Sequence, residues 1–229
     1  MRATIYAAAR GGATADARGG GAQLEAGHDT VRRVGAAGED HMAQQAKIAC
    51  LIGDGFEDSE FRVPYDRLRG AGYGVELIGA KAGQEVKGKA GRETVKTDKA
   101  AGDVRVDDYV ALLIPGGYSP DHLRIDRSCV ELVKRFEAAG KLIAAVCHGP
   151  QLLITAGLVR GRTLTAWPTI QEDLRQVGAN VKDQQVVVDR NWVTSRKPDD
   201  LTAFSDAILQ QLGHGAAARQ GETEAGAHP

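Results

Sequence analysis

The stretch Lys141-Leu142-Ile143-Ala144-Ala145-Val146-Cys147-His148-Gly149-Pro150 reads as a buried strand that breaks sharply into a turn and then a helix. Residues 142–146 carry no polar alternation, which is how a parallel strand covered on both faces reads. Gly149-Pro150 cannot extend a strand, and Pro150 suits the first turn of a helix that Gly157 should end. A side chain presented between strand and helix sits on a tight, strained turn, and such a turn leaves little room two residues to either side. Ala145 and Gly149 meet that demand around Cys147.

Three more apolar runs share this character, at 47–52, 74–80 and 109–114. Helical patterns alternate with them. Phe61, Tyr65 and Leu68 recur at helical spacing before Gly70 and Gly72, although Pro64 fits such a helix only in or near its first turn. Leu132, Val133 and Phe136 line a helix closed by Gly140, and Ile170, Leu174 and Val177 one closed by Gly178. Pro198 opens a last helix with the stripe Leu201, Phe204, Ile208 and Leu212, which Gly213 should stop. Segments 86–89 and 93–96, and again 186–188 and 192–194, flank turn residues and read as hairpins. The alternation predicts an α/β fold: a doubly wound, mostly parallel sheet with helices on both faces and right-handed crossovers.

The folded domain should span 46–213, with disordered extensions at 1–45 and 214–229. Both extensions are rich in Gly, Ala and polar residues and lack a periodic apolar face. Met42, just before the first strand, is an alternative start. The glycines of the first segment disfavour a transit peptide, and Arg32-Arg33 is followed by no apolar run. A net charge of −1 supplies no basic field for nucleic acid or a membrane surface. No apolar run approaches the roughly 20 residues of a spanning helix. Three cysteines, with no Cys-x-x-Cys pair, point to a reducing compartment and a cytoplasmic protein rather than a disulfide scaffold.

In such sheets ligands bind beyond the carboxyl ends of the strands. Three strands run there into Gly53-Asp54-Gly55-Phe56-Glu57-Asp58, into Pro115-Gly116-Gly117-Tyr118-Ser119-Pro120-Asp121-His122, and into Cys147-His148-Gly149-Pro150. Cys147 is the candidate nucleophile, with the N-terminus of the following helix expected to favour its thiolate and lower its pKa. The plainer alternative is an inert core cysteine, which suits Cys50 in mid-strand and Cys129 on a helix face. His148 is the candidate proton carrier, with Asp121 to orient it. Glu57 reads equally as an acid that could meet the sulfur and as a helix-start acid, whereas Asp58 and Glu60 read as ordinary helix-start acids. Gly116 and Gly117, with the N–H of His148, are candidate oxyanion donors. No metal-ligand spacing and no nucleotide loop is present, so neither metal nor cofactor is implied.

These segments, with 161–166 and 186–198, resemble the PfpI-type (ThiJ/PfpI) intracellular protease and deglycase family of the class I glutamine amidotransferase-like superfamily. The resemblance covers about residues 46–213. It implies a flavodoxin-like sandwich assembled as a homodimer or higher homo-oligomer, with Cys147 as nucleophile, His148 as its partner and Glu57 as the acid at the thiol. It also implies that Asp121 can orient the histidine from a neighbouring subunit, although some members carry glutamate there. The expected activity is a cofactor-free deglycase or glyoxalase-type hydrolysis of methylglyoxal, glyoxal or their early adducts. The expected partners are therefore small carbonyl compounds or glycated proteins and peptides, with nucleic acid only as a glycated substrate. The alternatives are an intracellular cysteine peptidase and a non-catalytic oxidative-stress sensor or chaperone.

Overall fold

The computed structural model describes residues 45–225, with side chains placed through residue 213. In chain order the elements are β1 (Lys47–Leu51), α1 (Asp58–Gly70), β2 (Gly74–Gly79), β3 (Glu85–Lys87), β4 (Thr94–Lys96) and β5 (Lys99–Ala100). Then follow β6 (Tyr109–Ile114), α2 (Ser119–Leu123), α3 (Arg127–Ala138), β7 (Leu142–Val146), α4 (Pro150–Thr155) and β8 (Thr163–Leu164). The last are α5 (Pro168–Gln176), β9 (Asn180–Val181), β10 (Val186–Asp189), β11 (Trp192–Ser195) and α6 (Leu201–Ala225).

Seven strands form one sheet in the order β10-β11-β7-β6-β1-β2-β5. All its pairings are parallel except β10 with β11. From β1 the chain first adds β2 on one side and later β6 on the other, so the order reverses between β1 and β6. At such a reversal the loops leaving the two strands diverge and open a crevice. The loops after β1, β6 and β7 therefore share one rim.

Period-two alternation divides each strand between two cores. Ile48, Cys50 and Ile52 pack with Phe61 and Leu68 of α1 and Phe204 and Ile208 of α6. Ala49 and Leu51 face the other way and join Leu132, Val133 and Phe136 of α3. That is why the strand sequences show no polar alternation: both faces are covered. Each fully buried Leu or Phe contributes about 1.5–3 kcal/mol of hydrophobic stabilisation.

The hairpins form as read, β3 with β4 and β10 with β11. The small strands β5, β8 and β9, two residues each, lie below the length at which periodicity can be read. Pro64 lies in the interior of α1, beyond the first turn. Having no N–H, it leaves the Glu60 carbonyl without the usual bond from four residues on. The helix persists because Phe61 and Leu68 are packed on either side of it.

Gly213 does not stop α6, which runs to Ala225. Gly213, Gly215 and Gly221 each cost the helix about 1 kcal/mol relative to alanine, and Ala216-Ala217-Ala218 between them favour it. The expectation for 1–44 and the final four residues lies outside the described residues. Among the described residues, no helix is long and apolar enough to cross a membrane.

Candidate active site

β7 ends at Val146, and Cys147 takes φ +59°, a left-handed conformation that a non-glycine residue holds only under tertiary constraint. The constraint is visible on both sides. The Cys147 N–H donates to the Ser195 carbonyl at 3.0 Å, and its carbonyl accepts from the Trp167 N–H at 2.9 Å. Gly149 is obligatory, since a Cβ there would lie 2.6 Å from the Ile114 carbonyl oxygen. The strained turn read from Ala145 and Gly149 is therefore present.

The turn places Cys147 Sγ 3.2 Å from His148 Nδ1. The His148 ring lies against Trp167, with centroids 6.3 Å apart and planes inclined by 23°. Burial lowers the His148 pKa, the positive charge of Lys89 lowers it further, and Asp121 opposes both. The imidazole is thus held neutral and can accept a proton.

The acid at the sulfur is Glu60, not Glu57. Glu60 is fully buried in α1, and its Oε2 accepts the Gly116 N–H at 3.0 Å. A Cβ on Gly116 would come within 2.5 Å of Glu60 Oε2 and 2.8 Å of Cys147 Cβ, so the bare glycine lets acid and thiol close up. Glu57 lies one helical turn earlier and bonds elsewhere: Oε1 accepts from Ser59 Oγ at 3.3 Å, and Oε2 meets Lys89 Nζ at 2.7 Å. The sequence shows two acids at i and i+3 on one face. Which of them is buried depends on how α1 is rotated against the sheet.

Burial raises the Glu60 pKa to about 7, helped by the negative charge of Glu57 and opposed by hydrogen bonds from Cys147 and the Gly116 N–H. Its second oxygen, Oε1, is buried with no hydrogen-bond partner, which favours the protonated acid. Burial also pushes the Cys147 thiol up, and the charge and hydrogen bond of Glu60 add to that; the N–H groups of Gly117 and His148 act the other way. The lowered thiol expected from the helix end is therefore not found. α4 has only six residues, and burial outweighs its field. Acid and thiol titrate as a coupled pair: near neutral pH the raised thiol keeps its proton while Glu60 is partly ionised. When the thiol proton passes to the Glu60 carboxylate, the thiolate has donors from Glu60 and from the N–H groups of Gly117 and His148.

The Gly116 N–H is spent on Glu60, so of the three candidate oxyanion donors the N–H groups of Gly117 and His148, which face the sulfur, remain. Gly117 has φ +75°, and a Cβ there would sit 2.5 Å from the Glu57 nitrogen. Asp121, in α2, is exposed and lies 4.0 Å from Arg124 Nη1; within one chain no hydrogen bond joins it to His148. The other two cysteines are fully buried among core side chains, away from the rim, and burial raises both thiols, that of Cys129 to about 12.

Cys147 and His148 open onto a cavity of about 370 Å³, shared by Glu57, Glu60, Lys89, Tyr118 and Trp167. Lys89 and Trp167 carried no signal in the sequence, because a hairpin tip and a helix-start residue reach the rim only through tertiary packing. A hollow of about 470 Å³ at the opposite rim, beside Lys47, Tyr109 and Lys141, contains no cysteine or histidine and offers no thiol chemistry.

A family profile described as DJ-1/PfpI matches residues 46–211. The chain belongs to the DJ-1/PfpI family. The "Protein/nucleic acid deglycase 2" of Escherichia coli (strain K12) is 51% identical over 168 residues, covering 73% of this chain and 98% of that protein. The "Putative cysteine protease YraA" of Bacillus subtilis (strain 168) is 50% identical over 166 residues, covering 72% and 98%. Among solved structures, a two-domain protein from Anabaena variabilis with DJ-1/ThiJ/PfpI-like and ferritin-like domains superposes with a TM-score of 0.73 at 40% identity. The match covers 76% of this chain and 50% of that one. The doubly wound sheet read from the strand pattern is thus present, in the flavodoxin-like form of the DJ-1/PfpI family that the resemblance implied.

Glu60→Gln separates the buried acid from the rest of this DJ-1/PfpI site. Below pH 4.5 the carboxyl is protonated whether the chain is folded or unfolded. As pH rises through about 7 the folded chain must ionise a buried acid, so stability present at low pH is lost, by about 3 kcal/mol. The glutamine variant is expected to match wild type in urea midpoint at pH 4 and to exceed it at pH 8. Parallel midpoints at both pH values would show that Glu60 is not strained by burial.

Proposed function

We propose that the chain is a cysteine-dependent deglycase or glyoxalase-type hydrolase acting on methylglyoxal, glyoxal or their early adducts, without a cofactor. The observation that carries the reading is the placement of Cys147 Sγ 3.2 Å from a neutral imidazole and beside a buried acid, at the floor of a cavity of about 370 Å³. A cavity of that size is at the small end of ligand pockets and admits a compound of a few carbon atoms with room to spare. The relative named as a deglycase agrees with it.

In this reading the thiolate adds to the aldehyde carbon of methylglyoxal, and the carbonyl oxygen takes a proton from Glu60 to give a hemithioacetal. His148 accepts the C1 proton, and C2 is reprotonated through an enediol, leaving a thioester of the 2-hydroxy acid. Water hydrolyses the thioester and restores the thiol. The sum is methylglyoxal plus water giving lactic acid. The N–H groups of Gly117 and His148 stabilise the negative oxygen of each tetrahedral state. An early adduct on a protein thiol or amine is a hemithioacetal or hemiaminal with no free aldehyde; there the thiolate would displace the protein thiol or amine, which leaves with a proton from Glu60 as the free group, giving the same hemithioacetal on Cys147.

The proposal includes a homodimer or larger homo-oligomer in which Asp121 of one copy approaches His148 of another. Tyr118 and Ile125, large apolar side chains on either side of Asp121, are 65% and 87% exposed, which supports a covered face there. A reducing, cytoplasmic setting fits three free cysteines.

Purified protein offered methylglyoxal without glutathione, glycated N-acetylcysteine and a fluorogenic peptide is expected to release lactate from the first two and leave the third intact. Peptide cleavage without lactate would replace this reading with a peptidase. Activity on none, with a peroxide-dependent mass gain at Cys147, would replace it with an oxidation sensor.

A further inference from the structure

We infer that Glu57 and Lys89 form a charge filter at the mouth of the Cys147 cavity, in which the carboxylate cancels the cation's pull on anions, so that anionic carbonyl compounds gain no electrostatic advantage and the apolar wall favours neutral ones. Among the described residues that line the cavity, Lys89 is the one permanently cationic side chain. Its Nζ lies 2.7 Å from Glu57 Oε2, and Ser59 Oγ holds the other Glu57 oxygen at 3.3 Å. The pair is only partly exposed, at 45% for the Lys89 side chain and 16% for Glu57, so water screens it incompletely.

The hairpin between β3 and β4 is fastened where the pair requires it. The Lys89 N–H donates to the Phe56 carbonyl at 2.8 Å. The buried Asp58 carboxylate accepts the N–H groups of Ala90, Arg92 and Glu93 at 2.8–2.9 Å. A Cβ on Gly88 would overlap that carboxylate at 2.2 Å, so the glycine lets the hairpin seat against it. Glu57 and Lys89 thus come from two segments locked together by their neighbours, and their contact does not depend on two floppy side chains meeting.

Left alone, Lys89 would draw carboxylates into the cavity. Its charge already reaches the reacting groups, favouring the ionised forms of Cys147 and Glu60 and depressing His148. Without Lys89, Glu57 would repel anions and disfavour the thiolate. Paired, the two leave a field that neither attracts nor repels a carboxylate strongly, while the apolar wall of Trp167 and Pro198 rewards an uncharged guest. This deepens the proposed activity by assigning its substrates to neutral 2-oxoaldehydes rather than those bearing a carboxylate. It rests on that reading only for the substrate's identity.

The test needs no turnover. Cys147 of the full chain is alkylated with neutral iodoacetamide and with anionic iodoacetate, and the rate on the Cys147 peptide is followed by mass. Both reagents attack the same thiolate, so their rate ratio cancels any change in its population and reports the local field. Glu57→Gln is expected to raise the iodoacetate-to-iodoacetamide ratio about fivefold, and Lys89→Met to lower it about as much. The double variant should return to the wild-type ratio, a restoration that mere structural damage would not produce. All the shifts should shrink at high salt. Ratios within twofold of wild type in both single variants, or a double variant that fails to return, would overturn the filter whether or not the protein forms lactate.

Discussion

Cys147→Ala is expected to lose at least about a thousandfold in lactate formation, because the nucleophile acts as a unit with its proton carriers and nothing else in the cavity can form the covalent intermediate. The fold should survive, since the side chain removed is small. A companion variant tests the turn itself. Cys147 holds φ +59°, which costs a non-glycine residue about 1–2 kcal/mol, while glycine adopts it freely. Cys147→Gly should therefore be as inactive as Cys147→Ala but more stable by about 1 kcal/mol in urea unfolding, even after allowing for glycine's looser unfolded chain. Equal stability, or a more stable alanine variant, would show that the turn carries no strain. Retained lactate formation in either would remove Cys147 from the chemistry.

Arg162→Met is expected to cost about 3–5 kcal/mol, the largest stability loss foreseen for a single substitution here. Arg162 is 5% exposed and sits where β8 meets the β10–β11 hairpin. Its Nε donates to Asp189 Oδ2 at 2.8 Å, Nη1 to Glu137 Oε1 at 2.7 Å, and Nη2 to the Asp189 carbonyl at 2.8 Å. The guanidinium also lies 3.7 Å over the Trp192 ring, and the Trp192 indole N–H donates to Glu137 at 2.6 Å. Methionine fills the volume but strands two largely buried carboxylates. Arg162→Lys should recover only part of the loss, because an ammonium cannot make the planar fork to Asp189 while stacking on Trp192. In a chain of this size the methionine variant should melt roughly 10 °C lower. The Asp189 pKa is lowered: burial alone would raise it, but the Arg162 contact and the Thr163 N–H prevail. Stability from that carboxylate is present above its ordinary value of 3.8 and is lost as pH falls through its folded value, so the gap between wild type and variant should narrow in acid. A variant within 1 kcal/mol of wild type at pH 7 would mean that the cluster contributes little.

Much of the molecule was written locally. Each apolar run at 47–52, 74–80, 109–114 and 141–146 became a strand of the parallel sheet, because a strand covered on both faces has no choice but to be apolar throughout. The Cys147 turn was legible for a similar reason: a strand cannot continue through Gly149-Pro150, and the small residues around it mark a tight backbone. Gly213 misled because propensity is a weak signal, easily outweighed when the residues beyond it favour helix.

What the sequence alone determined was the fold class, the rim where chemistry collects and the sulfur at its centre. These follow from backbone geometry and hydrophobic period, which act over a few residues. Only the tertiary structure decided which acid at the start of α1 meets that sulfur, which N–H of the Gly116-Gly117 pair is not taken by Glu60, and that a lysine from a distant hairpin would cap the cavity. Glu57 and Glu60 have the same chemistry and stand one turn apart. The rotation of α1 against the sheet buries one beside Cys147 and turns the other to Lys89, and that rotation is set by side chains far apart in the chain.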